Sequence, residues 1–497
     1  MKHLLKYVCK PLSSFKPCVL SSSVFKENRY VFAFSTKTKK QFYQWEVPDG
    51  YDTGIKVLNS YGSLKQSKKK KLVPFVVGSK DIVKWFACGP TVYDSTHIGH
   101  ASSYVRFDVI RRILEAYFDL NVFMVMGITD VDDKIINRAK LLGNEFLSLA
   151  VKYEREFQHD LNLLNVMPPT SYVKVSDIIP QIIAFTDELI SKGNAYVGDD
   201  GTGNVWFKHS SISSVGHLVA GLDKWENADS NVTVLDKRHH QDFCLWKAAK
   251  PGEPYWEAPW GNGRPGWHIE CSAASSLFFG DSLDIHTGGV DLSFPHHECE
   301  IKQCEAYHES LQWCNYFFHC GHLVKSGESQ KMSKSLGGVI TVTEFLNEYS
   351  SDHMRLLCIN SPWHVTIHYS SDLMKEVDTQ LMEIKQFMNR CQQFVLGNMS
   401  GKVDNENINL LVHRCQRNVF ECFRQNFNTE QALNCLLYLQ KQIDPLLGNH
   451  VLLDVWKPSD HLKSSESYCI GEMLNYLVKT YSFLGFNSLK PDTDFPC

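Results

Sequence analysis

From Ile82 onward, short apolar runs alternate with stretches whose apolar residues recur at helical spacing. Ile-Val-Lys-Trp-Phe-Ala (82–87) reads as a strand running into Cys88-Gly89-Pro90, and a helix is predicted from about Ile98 to Phe118. Val122 to Met126 is apolar throughout, as expected of a strand buried on both faces. Strand, helix and strand at this spacing predict a βαβ unit, and hence an α/β fold with a parallel sheet. Residues from about 131 to 240 are more helical and end in polar stretches (Gly198 to Gly203, Ser210 to Ser214), which predicts an insertion between two halves of the sheet. The alternation resumes at Phe243-Cys244-Leu245-Trp246 and continues through Leu283-Asp284-Ile285 and Tyr316-Phe317-Phe318. After about residue 344 strand signals stop. Leu373, Val377, Leu381, Ile384, Phe387 and Met388 then mark one face of a helix and predict a C-terminal helical bundle.

Length and composition narrow this picture. A chain of 497 residues with 43% hydrophobic content can bury two to four cores. No apolar run approaches the ~18 residues of a membrane span, so no membrane association is expected. The 16 cysteines are scattered without a C-x-x-C pair and read as reduced thiols, some available to a metal. The first 40 residues carry eight lysines and Arg29 against one acid, Glu27, and are rich in Ser, Phe and Val. That composition predicts a transit peptide, with the mitochondrial matrix as destination; a disordered basic tail is the plainer alternative. Without those nine basic residues and one acid, 42 basic and 54 acidic residues leave a net charge of −12. Such a body cannot hold nucleic acid by global attraction, so any RNA contact must be local. Lys68 to Lys71, in a polar lead-in at 41–80, read as a solvated loop.

Two short motifs suggest chemistry. His97-Ile98-Gly99-His100 falls where a strand gives way to a helix. Free N–H groups and the helix dipole favour phosphate there, Gly99 lets a nucleotide approach the backbone, and the histidines can donate to phosphate oxygens. Lys331-Met332-Ser333-Lys334-Ser335 is bracketed by Gly327 and by Gly337-Gly338, and two lysines on such a loop can neutralise charge as pyrophosphate departs. A third group comprises Cys88 to Asp94, Gly263 to Cys271 and Gly288 to Glu300. His296 and Glu300, at i and i+4 after Pro295, lie on one helix face and can share a metal. Cys88, Cys271, His296 and Glu300 together suit tetrahedral zinc. By spacing alone, however, buried free cysteines and a surface His–Glu pair are the default reading.

The first two motifs resemble the signatures of class I aminoacyl-tRNA synthetases. With Ile128-Thr129-Asp130-Val131-Asp132-Asp133-Lys134, the third group resembles cysteinyl-tRNA synthetases from about residue 82 to 350. That resemblance implies a Rossmann-like catalytic domain in two parts, 81–135 and 241–343, a connective insertion at 136–240, and a helical tRNA-binding domain at 344–497. It implies one Zn2+ held by Cys88, Cys271, His296 and Glu300, and a cysteine pocket lined by Gly89, Thr129, Trp267 and His296. ATP, with Mg2+, would meet His97, Gly99, His100, Gly288, Gly289, Asp291, Lys331 and Lys334. Of these, His97, His100, Lys331 and Lys334 would stabilise the reacting charge. The implied partners are L-cysteine, ATP and tRNA-Cys; the oligomeric state is not legible, with a monomer favoured. Pyridoxal phosphate on Lys134, Lys331 or Lys334, supporting persulfide formation, is a further implication, weakened by Arg138 where a second lysine is expected. A related enzyme that joins cysteine to a small amine, or a non-catalytic RNA-binding regulator, would share parts of this pattern. The long C-terminal region argues against the first and the intact motifs against the second.

Three departures stand out. Cys299 replaces the usual Asn, and at about 100° around the helix from Glu300 it is not expected to ligate. Ser102 stands where Arg is common, and Ser329 and Gln330 lengthen the loop before Lys331. From Glu344 onward, 13 basic residues face 18 acidic ones, so tRNA contact is expected only through local residues such as Arg355, Arg390, Arg414, Arg417 and Arg424.

Overall fold

A computed structural model describes residues 45–61, 71–211, 218, 236–326, 339–448, 450–451 and 465–489. The basic leader 1–40, Lys68 to Lys70, Gly327, Ser329, Gln330, Lys331, Lys334, Gly337 and Gly338 lie outside the described residues. Structure starts earlier than Ile82. Strands β1 (Tyr51–Val57) and β2 (Val73–Val77) pair antiparallel within the supposed polar lead-in, and Ile55, Val57, Phe75 and Val77 are buried.

The central sheet is built on β3 (Val83–Thr91), followed by α1 (Ile98–Phe118) and β4 (Val122–Thr129). Helix α1 begins on His97 as N-cap and stops at Asp119, which takes a left-handed conformation (φ 51°) and closes the last turn. Helices α2 (Asp133–Leu142) and α3 (Phe146–Leu163) lead to β5 (Ser171–Lys174), and α4 (Ile179–Ser191) follows. Four short strands then form a separate antiparallel sheet: β6 (Ala195–Val197), β7 (Val205–Phe207), β8 (Phe243–Ala248) and β9 (Gly263–Pro265). After α5 (Ile269–Phe279) come β10 (Leu283–Gly289), α6 (His296–His308) and β11 (Cys314–Cys320). The five-stranded sheet has the order β11-β10-β3-β4-β5, and every pair is parallel.

Alternating side chains send the sheet into two cores. Trp85, Ala87, Met124 and Met126 pack against α1, whereas Phe86, Cys88 and Val125 pack against α4 and α5. Covering both faces is what a parallel sheet requires. Two expectations are corrected. The run Phe243 to Trp246 does not resume the parallel sheet but belongs to the antiparallel one, and β5, placed in the insertion by sequence, is the parallel sheet's edge strand. A fully buried apolar run has the same pattern in either kind of sheet, and Ser-Tyr-Val-Lys is too short and polar-ended to stand out.

Past β11, β12 (Leu323–Lys325), α7 (Val342–Glu348), α8 (Ser351–Ile359) and β13 (Ile367–Tyr369) lead into the C-terminal helices. Contrary to the expectation of no further strands, β13 pairs with β12. Helices α9 (Ser371–Val395), α10 (Asn405–Arg424), α11 (Thr429–Ile443) and α12 (Ser465–Phe483) pack as a bundle. Val377, Leu381, Ile384, Phe387 and Met388 form the buried stripe of α9, as the periodicity predicts. Among the described residues, no helix is long and apolar enough to cross a membrane.

Candidate active site and metal centre

Four side chains from three elements meet behind the carboxyl end of β3. Cys88 comes from β3, Cys271 from the first turn of α5, and His296 and Glu300 from one face of α6; all four are buried. Their donor atoms all lie within 4.8 Å of one another. Cys88 Sγ is 3.6 Å from Cys271 Sγ, and His296 Nε2 is 2.9 Å from Glu300 Oε1. A tetrahedral ion with ordinary zinc bond lengths would hold ligand atoms about 3.3–3.8 Å apart, so donor set and spacing fit. Cys299, also buried, is not part of the group.

A second set, Cys88, His286, His297 and Glu300, overlaps the first. Its histidines are already engaged. His286 Nε2 lies 2.8 Å from Glu300 Oε2 and its Nδ1 3.2 Å from Phe86 O, while His297 Nδ1 lies 2.8 Å from His319 Nε2. His268 Nδ1 in turn approaches His296 Nδ1 at 3.2 Å. Two sulfurs favour the first set for a borderline-soft ion, and the histidines around it serve to orient the ligands. Burial pushes the Cys88 thiol up to about 11. Burial alone would lower His296, but Glu300 and Cys271 outweigh it and hold the imidazole near 10. A metal would displace these protons.

Gly89 must be glycine: a Cβ there would lie 2.0 Å from Gly127 O on β4. Trp267, 40% exposed, stacks its ring on His296 at 4.7 Å, and so roofs the metal group from the solvent side. Thr129 ends β4 and donates to Glu270 Oε2 at 2.8 Å. Both are buried, and burial raises the Glu270 carboxyl well above the ordinary range. Asp132 and Asp133 of the same motif are structural. Asp132 caps α2, and Asp133 pairs with Arg264 and Lys247, tying α2 to the antiparallel sheet.

At the other side of β3, His97 Nδ1 accepts from His100 N–H at 3.3 Å, and the two rings stack 3.9 Å apart. With Nδ1 accepting, the neutral ring carries its hydrogen on Nε2. Gly99 is buried beneath His97. Gly288 and Gly289 end β10; a Cβ on Gly288 would meet His297 and Leu292 at 2.9 Å, and Asp291 follows in the next turn. The backbone just beyond the Lys331–Ser335 motif is fastened to this corner: Ile98 N–H donates to Ile340 O and Val342 N–H to Thr96 O.

One expectation does not survive as stated: Arg355 is fully buried, 2.6 Å from Asp108, and is not available to RNA. Of the three lysines named for pyridoxal phosphate, Lys134 is among the described residues, exposed beside the Tyr93 ring, and Arg138 pairs with Asp94. Sequence reasoning missed Glu270, His286 and His297. The signal was there in His286, a histidine inside an otherwise buried strand, which needs polar partners.

Residues 74–379 match the family described as tRNA synthetases class I (C) catalytic domain. A probable mitochondrial cysteine–tRNA ligase of Xenopus tropicalis is 43% identical over 447 residues, 89% of this chain and 74% of that protein. The cysteine–tRNA ligase of Methanococcus maripaludis (strain C7) is 38% identical over 396 residues, 79% and 81% of the two chains. Among solved structures, Mycobacterium tuberculosis methionyl-tRNA synthetase bound by methionyl-adenylate aligns with a TM-score of 0.59 at 13% identity. That alignment covers 81% of this chain and 92% of the other, a likeness of fold. The family match spans more than half of the chain, and the identity to cysteine–tRNA ligases extends well beyond it, so the chain belongs to the cysteine–tRNA ligase family of class I synthetases.

Proposed function

We infer that this chain activates L-cysteine with ATP and transfers it to the 3′ end of tRNA-Cys, in the mitochondrial matrix. The observation that carries the reading is the buried Cys88–Cys271–His296–Glu300 group beside a helix N-terminus at the carboxyl end of a parallel sheet. Zinc bound there would supply a Lewis acid that holds the substrate's sulfur as thiolate. The residues around it do the rest by positioning. Trp267 covers the amino acid, and its carboxylate points towards the N-terminus of α1. A carboxylate oxygen attacks the α-phosphorus of ATP in line, and the bond to the departing pyrophosphate breaks. His97, His100, Lys331 and Lys334 stabilise the charge that develops, with Mg2+ accompanying the nucleotide. The terminal ribose hydroxyl of tRNA then attacks the activated carbonyl, and AMP leaves. On the bundle, Arg414 and Arg417 are exposed on α10 and offer local contacts to the tRNA backbone, while Arg390 and Arg424 are half-buried and paired. Relatives described as cysteine–tRNA ligases, rather than ligases of a small amine, support tRNA as the acceptor.

Cysteine-dependent pyrophosphate exchange, followed by charging of tRNA, tests the reading; exchange with no charging would point to a small-amine acceptor. Because Lys334 is assigned to charge that appears only in the transition state, Lys334→Ala should lower kcat by roughly 10²-fold with a smaller change in KM for ATP. A variant with near-normal kcat would remove that role. The first 40 residues should carry a fused reporter into mitochondria, and a diffuse cytosolic signal would overturn the address.

A further inference from the structure

Arg106, midway along α1, is 2% exposed and has no part in the site described above. Its Nη1 donates to Gly321 O at 2.7 Å and to Trp363 O at 3.1 Å. Among the described residues, its Nε and Nη2 meet no oxygen or nitrogen acceptor, and the Cys320 and Cys358 thiols lie close enough to feel its charge. A guanidinium buried without a carboxylate is a weak source of stability, because its desolvation opposes the few bonds it makes. Its place on the helix is informative. Ser102 stands where arginine is common in the family, and Arg106, four residues on, starts from the same face of α1.

The carbonyl that Arg106 holds opens the turn Gly321-His322-Leu323, which joins β11 to β12. On one side this turn is fastened to the segment after α8. Gly321 N–H donates to Trp363 O at 3.2 Å, Ile367 N–H donates to His322 O at 2.8 Å, and a Cβ on Gly321 would lie 2.2 Å from the Val365 backbone. Arg106 ties it on the other side to α1, the helix that begins at His97. A Cβ on Gly99 would lie 3.6 Å from Leu323 O, and His322 Nδ1 is 3.8 Å from Asp291 Oδ1. The turn therefore runs between two residues assigned to ATP. We propose that Arg106 is a positioning residue for the nucleotide: by holding Gly321 O it keeps the turn in register with the N-terminus of α1, so that ATP meets a preformed wall. The cysteine seat is served differently, because Cys88 packs on the opposite face of the sheet from α1. The inference rests on the reading that ATP lies between Gly99 and Asp291.

The test is pyrophosphate exchange with ATP and cysteine varied in turn. Arg106→Met fills much of the same space without a donor, and the KM for ATP should rise about 10-fold while that for cysteine stays within about 2-fold. Both bonds leave from one nitrogen, so in Arg106→Lys a single ammonium can make them and should restore most of the affinity for ATP. Circular dichroism and urea unfolding check that each variant keeps its fold. Should Arg106→Met not fold, Arg106→Gln, whose shorter amide cannot reach both carbonyls, gives the same comparison with Arg106→Lys. A role confined to packing would weaken ATP and cysteine together and would not be rescued by lysine. Either of those results, or an unchanged KM for ATP, would overturn the proposal alone. Asp291→Ala should itself raise the KM for ATP; if it did not, the nucleotide would lie elsewhere and the proposal would fall with that reading.

Discussion

Cys271→Ser, or removal of the metal by chelation, is expected to cut cysteine-dependent pyrophosphate exchange by roughly 10²-fold or more and to collapse the preference for cysteine over serine. The two amino acids differ by one atom, and a pocket judging size alone gains only about 1–3 kcal/mol from so small a difference. A zinc ion separates them more strongly, because a thiol yields its proton readily to bind a borderline-soft metal and an alcohol does not. Cys271 is buried, and its sulfur lies 3.6 Å from that of Cys88 in the group. Replacing it with serine therefore trades a soft ligand for a hard one and leaves Cys88 without its neighbour. Exchange measured with each amino acid on the intact, chelated and variant proteins decides the matter. A folded, zinc-free protein that still preferred cysteine several hundred-fold would show that discrimination lies elsewhere.

Arg355→Ala is expected to destabilise the fold by about 3–5 kcal/mol, because it removes one cation from the buried Asp108 and leaves the carbonyls it joins without their donor. The Arg355 guanidinium reaches Asp108 Oδ2 on α1 at 2.6 Å, Asn165 O after α3 at 2.8 Å, and Leu484 O after α12 at 3.0 Å. Asp108 also accepts from Arg112 at 2.8 Å and from the Met167 N–H at 2.9 Å. One side chain thus joins the first crossover helix, the start of the insertion and the end of the bundle. Arg355→Lys should recover only part of the loss, since a single ammonium cannot serve the planar fork of contacts. Urea unfolding followed by fluorescence reads the effect; a midpoint close to that of the unmodified protein would show that this hub does not hold the three parts together.

What the sequence could reveal followed from how local each signal is. Helix α1 was legible to both ends, because its apolar stripe is continuous and the chain turns at Asp119. The α9 stripe was legible for the same reason. Strand β8 was misassigned because periodicity cannot distinguish a run buried in one sheet from a run buried in another. At the site, only His296 and Glu300 were linked by spacing; Cys88 lies 183 residues from Cys271, and their association came from resemblance to a family. Helix α6 hides its role from pattern analysis altogether, since the residues from His296 to Ala306 are all buried although most are polar or charged. Several of its side chains are paired through contacts that come from distant parts of the chain, as when Glu298 accepts from Leu218 N–H and Lys302 meets His209.

The sheet order also governs how this enzyme can be made. Strand β3 sits between β4, its near neighbour in sequence, and β10, which pairs Ile285 with Trp85 some 200 residues later. During synthesis, therefore, the first strands leave the ribosome with one hydrogen-bonding edge of β3 open, and the apolar Val83, Trp85, Phe86 and Ala87 near it lack much of their final cover. That edge stays open while the antiparallel sheet is still being translated, and it closes only when β10 and then β11 arrive. Loop closure on this scale is slow, and an open apolar edge recruits other nascent chains. Substitutions that slow folding of the segment between β4 and β10 are therefore expected to lower the yield of soluble enzyme before they act on catalysis.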